Sequence, residues 1–136
     1  MKSLWVLRVV AVVHAVAICL QPVFMGIYLD GTPAGLGMHE TTGLSLVFVG
    51  LTQLLVATVW WRSGGRVAGP LVSLIVTTAE VFQAVFGYSR SLAIHIPLGI
   101  TLVGTTIGFA LWTTRQRPTP KRRTKKRRTK EEAVTA

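Results

Sequence analysis

The sequence has a single cysteine, five acidic residues among 136, and long stretches with almost no charge. Cys19 on its own excludes an internal disulfide and any cysteine-based zinc site. Inside an apolar run it acts as a small hydrophobe. No glycine-rich phosphate loop, hydrolase elbow or metalloprotease helix occurs, so no residue is assigned a catalytic role. Charge is scarcest where a soluble surface would need it. Residues 1–114 hold five basic side chains (Lys2, Arg8, Arg62, Arg66, Arg90) and three acidic ones (Asp30, Glu40, Glu80). With 50% of its residues hydrophobic, a soluble domain could not cover its apolar surface.

The apolar residues fall into four runs, 9–29, 41–61, 67–89 and 91–114. A bilayer core needs about 20 apolar residues as helix, and each run meets that length. The breaks read as loops: DGTPAGLGM over 30–38, RSGGR over 62–66, and Ser89-Arg90-Ser91. The predicted fold class is all-α, an integral membrane four-helix bundle over 1–114 with a basic tail over 115–136. Pro70 and Pro97 lie near helix starts, where a missing N–H costs little. Pro22 lies well inside the first run and predicts a kink there.

Basic residues in short loops set orientation. With the N-terminus inside, Lys2, Arg8, Arg62, Arg66 and the tail are cytoplasmic and only Arg90 is outside, beside Asp30 and Glu40. The expectation is a multi-pass protein of a bacterial cell membrane with both termini cytoplasmic. Trp5, Trp60, Trp61 and Trp112 then belong to the inner interfacial belt. A cleaved signal peptide ending near Ala15-Val16-Ala17 is the rival reading. Arg8 intrudes on its short apolar core, and hydrophobicity continues to Leu29. The tail, RQRPTPKRRTKKRRTK over 115–130, has no apolar face and two prolines, which predicts disorder. Its blandest role is to fix topology. A stronger one is attraction to anionic lipid, worth about 1 kcal/mol per Lys or Arg near the surface. Nucleic acid would need the same charges, but no aromatic residues interleave to stack on bases.

The chain also repeats itself. Gln21-Pro-Val-Phe24-Met-Gly26-Ile-Tyr28 followed by His39-Glu-Thr-Thr-Gly43 matches Gln83-Ala-Val-Phe86-Gly87-Tyr88 followed by His95-Ile-Pro-Leu-Gly99. Two similar helical hairpins follow from this. Helices one and three run outward, two and four inward, so His39 and His95 come to matched depths at the outer helix ends. In each case the glycine four residues on shares the histidine's face.

Polar groups inside a bilayer are costly and face the bundle interior. His14 and Gln21 share one face of the first helix; Glu80, Gln83 and Gly87 share one face of the third. A His14–Glu80 pair near mid-membrane would compensate the buried carboxyl. Taken singly, each of these residues is adequately explained by packing, and Gln21, Gln53 and Gln83 by interhelical hydrogen bonds. A proton or solute path lined by His14, Gln21, Glu80 and Gln83 is an alternative expectation. The repeated His-x-x-x-Gly points instead to a shared ligand. Zinc would want three or four ligands, of which His39, His95 and Glu40 supply three. Haem wants two axial imidazoles and a flat apolar slot. His39 and His95 are the candidate ligands, Gly43 and Gly99 the candidates for making room, Phe24 and Phe86 for lining the ring, and Arg90 for pairing with a propionate.

In the placing of His39, His95 and their glycines the sequence resembles four-helix membrane cytochromes and each half of haem A synthase. These carry axial histidines near the outer ends of the second and fourth helices. It also resembles small bacterial membrane proteins with the same four-span His-x-x-x-Gly layout. The resemblance implies haem b as cofactor, His39 and His95 as iron ligands, electron transfer as function, and a quinone or protein redox partner. It covers one half of the synthase. Glu40 follows the histidine where the synthase has an acidic residue before it, and there is no cysteine pair, so synthase activity is not implied.

Overall fold

The computed structural model describes residues 2–117. They form four helices: α1 (Lys2–Leu29), α2 (Ala34–Arg62), α3 (Ala68–Tyr88) and α4 (Leu92–Arg115). No strand occurs among the described residues. Each helix is long and apolar enough to cross a membrane. The tail expected to be disordered and lipid-binding lies, from residue 118 onward, outside the described residues.

α1 and α2 each begin well before the apolar runs that predicted them. An apolar run marks where lipid begins, whereas backbone hydrogen bonding carries the helix on into the polar interface. At about 1.5 Å per residue, the 28 residues of α1 reach about 42 Å, beyond a hydrocarbon core of about 30 Å. α1 runs unbroken through Pro22; the imide nitrogen donates nothing to the Ile18 carbonyl one turn back.

All three turns close the same way. The second residue after each helix end takes a left-handed conformation (Gly31, Gly64 and Arg90). The N–H of the next residue then returns to the last turn: Thr32 to Ile27, Gly65 to Trp60 and Ser91 to Phe86, at 2.9–3.1 Å. This is the Schellman closure, which satisfies carbonyls the helix leaves bare. α4 ends differently. The Arg8 guanidinium donates to the carbonyls of Thr113, Thr114 and Gln116, placing a cation at the negative end of that helix.

The helices pack as a square in which α1 touches α2 and α4, and α3 touches α2 and α4. α1 and α3 therefore face each other across one diagonal, α2 and α4 across the other. The start of α1, the end of α4 and the α2–α3 turn lie at one end of the bundle, the tail end. His39 and His95 lie at the other, the histidine end.

The distribution of side chains is inverted relative to a water-soluble fold. His14, Gln53, Ser73 and Glu80 are buried, while Phe48, Ile100 and Ile75 are 66–71% exposed. Such an exterior suits hydrocarbon, and the polar groups retreat to the one place they can find partners. The apolar interior has two parts. Leu4, Leu7, Ala11, Ala57, Trp60 and Phe109 pack toward the tail end. Ile18, Leu46, Val76 and Leu102 pack between mid-depth and the histidine end. Trp5 and Trp61 face outward, as interfacial indoles do, but Trp60 is only 3% exposed. It packs edge-on against Trp112, which stacks on Phe109. Trp60 is thus a core residue and not part of the expected belt, because the tight Gly64–Gly65 turn folds back over its ring.

Candidate functional site

Polar side chains gather at two levels, one on each diagonal. At the histidine end, α2 and α4 bring His39 and His95 together with ring centres 6.0 Å apart and planes at 65°. The two hairpins make the same contact. His39 Nδ1 lies 3.2 Å from the Gln21 carbonyl of α1, and His95 Nδ1 lies 2.9 Å from the Gln83 carbonyl of α3. A carbonyl can only accept, so each Nδ1 carries the hydrogen and each neutral ring keeps its lone pair on Nε2. Neither Nε2 has a protein hydrogen-bond partner among the described residues. A backbone carbonyl on Nδ1 is the usual support for a histidine that ligates through Nε2.

Gln83 returns a bond from Nε2 to the His95 carbonyl at 2.9 Å, tying α3 to α4 in both directions. Gln21 makes no such bond. Its Nε2 and the Oε1 of Gln83 are both out of water with no partner. An orphaned donor and an orphaned acceptor beside two uncommitted imidazoles mark a place where a ligand or water would lower the free energy.

The donor set fits a group that takes two nitrogens and asks for no third protein ligand. The zinc reading fares worse: among the described residues, no three His, Cys, Asp or Glu side chains gather to hold a metal ion.

The other predicted residues are placed unevenly. A Cβ on Gly43 would meet Gln21 Oε1 at 3.3 Å, and one on Gly99 would meet Gln83 Nε2 at 2.8 Å. The space these glycines open is taken by the two glutamines. Gly87 lies against the His95 ring. Phe24 and Phe86 are half-buried, and Phe86 stacks on the outward-facing Phe82. Arg90 is exposed at the tip of the α3–α4 turn, and Glu40 is exposed one residue beyond His39.

At mid-depth, His14 of α1 reaches across the other diagonal to Glu80 of α3, with Nε2 2.5 Å from Oε1. His14 Nδ1 lies 3.1 Å from Gln53 Oε1 on α2. Gln53 Nε2 donates to Ser73 Oγ, and that hydroxyl donates to the Gly69 carbonyl. The chain of donors fixes the hydrogen on Nδ1. A single further proton is then shared between Nε2 and Oε1, and the unit is neutral wherever that proton sits. Glu80 Oε2 has no hydrogen-bond partner and lies over Gly50, whose missing side chain makes the room. Leu46 and Leu102, with Ile18, lie between this unit and the glutamines above.

The repeat explains why this unit exists once. Aligning Gln21 with Gln83 sets His14 against Val76 and Ile18 against Glu80. The counterpart of the His14–Glu80 pair is therefore Val76 with Ile18, and these two share one apolar cluster. The hairpins match at the histidine end and diverge below it. Sequence reasoning misses Ser73, Thr77 and Gly50. The signal available for the first two is helical spacing, since Ser73, Thr77 and Glu80 fall on one face of α3.

Comparisons with protein-family models, with curated proteins and with solved structures found no match.

Proposed function

We propose that this chain is a small multi-pass protein of a bacterial cell membrane, with both termini cytoplasmic, that binds b-type haem near the outer face through His39 and His95. The observation that carries the reading is the pair of imidazoles on diagonal helices. Each is held by a helix carbonyl at Nδ1, each has an uncommitted Nε2, and their ring centres are 6.0 Å apart. Haem bound there would supply one-electron chemistry, with a quinone or a protein as partner. The chain's own part is to fix both tautomers, to orient both rings, and to surround the site with apolar side chains. Gln21 and Gln83 occupy the space beside Gly43 and Gly99, so the macrocycle enters only if their side chains swing aside. Gln21 has no hydrogen bond to lose at Nε2, and Gln83 has one.

In this reading His14–Glu80 is a cross-link and not a route for protons or solutes. What supports this is that buried apolar side chains flank it, Leu46 and Leu102 toward the histidine end and Leu7 and Phe109 toward the tail end.

The test is the absorption spectrum of the purified protein, oxidised and dithionite-reduced, with and without added haemin. A Soret band with a sharp reduced α-band is expected, lost in His39→Ala and in His95→Ala and retained in Glu80→Gln. No band after haemin addition to folded protein would end the haem reading.

A further inference from the structure

The tail end of the bundle holds a cavity of about 350 Å³ between the α2–α3 turn and the end of α4. Its lining includes Trp60, Arg66, Arg115, Gln116 and Arg117. Among the described residues, none of the three arginines has a carboxylate partner, since the one ion pair is His14–Glu80. Trp60, 3% exposed, forms the buried side of the lining. Three arginines without a carboxylate partner among the described residues line one space, and together they call for an anion.

The same space lies at the level of the outward-facing Trp5 and Trp61, the depth at which indoles meet lipid headgroups. Guanidinium groups match phosphate oxygens in fixed two-point geometry. The geometry points to a binding site for the phosphate of an anionic phospholipid, held by Arg66, Arg115 and Arg117. The site is separate from the histidine end and stands whether or not haem binds. It differs from diffuse attraction by the rest of the tail, because Arg115 and Arg117 line a cavity together with Trp60 and the α2–α3 turn.

Native mass spectrometry of the full-length protein in detergent, titrated with phosphatidylglycerol or phosphatidylcholine, tests it. One phosphatidylglycerol should be retained in strong preference to phosphatidylcholine. Arg66→Gln, Arg115→Gln and Arg117→Gln combined should weaken it roughly 100-fold, the sum of three interfacial cations. Replacing three tail cations instead (Arg122→Gln, Arg123→Gln and Arg127→Gln) should leave retention nearly unchanged. Equal losses from the two triple variants would reduce the effect to non-specific attraction and overturn the site. Displacement of the lipid by millimolar glycerol phosphate would reassign the site to a soluble phosphate ester.

Discussion

A polar side chain in an apolar helix announces itself, and that is why His14, His39, Glu80 and His95 are legible in the sequence. Their partners are less so. Ser73 and Thr77 bond back to carbonyls one turn away, as such residues do anywhere in a membrane helix, so their sequence signal is faint. Spacing tells which face Gly43 and Gly99 occupy but not that glutamine side chains fill the space. At this scale the mid-depth unit is the most sensitive part of the molecule. His14→Ala leaves the Glu80 carboxyl buried without its hydrogen-bond partner and should destabilise the fold by about 1–3 kcal/mol. Gly50→Ala drives a methyl group into the Glu80 carboxyl and Thr77, at a cost of about 1–3 kcal/mol. Thermal unfolding in detergent reads both, and if Gly50→Ala matches the parent chain, the tight packing over Glu80 is wrong.

The helices themselves are readable from run length, since lipid demands about 20 apolar residues of each. Their starts are not, because α1 and α2 extend beyond the lipid-facing stretch. The turns follow local rules that the sequence half reveals. Gly31 and Gly64 sit where a left-handed residue is required, but Arg90 occupies the third such position with φ 55°. A residue with a Cβ there carries a steric penalty of roughly 1–2 kcal/mol. Arg90→Gly should therefore stabilise the haem-free protein by about 1 kcal/mol, seen as a higher midpoint of thermal unfolding. A lower midpoint would mean that the arginine side chain contributes more than its backbone costs.

For the whole molecule, the all-helical bundle follows from hydropathy alone, whereas the two pairs across its diagonals, His14 with Glu80 and His39 with His95, are expected only from the depth of the polar residues and the repeat. Orientation in the membrane can be checked directly. In a Cys19→Ser background, Ser89→Cys should react with an impermeant maleimide on intact cells, and Ser63→Cys only after permeabilisation; the reverse pattern would invert the topology. The two diagonals differ in one further respect. His14 and Glu80 are hydrogen-bonded across theirs, whereas His39 and His95 only touch across the other. A four-sided frame with hinged corners shears into a rhombus unless its diagonals are braced. This bundle is braced at mid-depth, and at the histidine end it has two unjoined struts. Anything gripped by both imidazoles would complete the second brace, so occupancy of that end would register as stiffness of the whole cross-section.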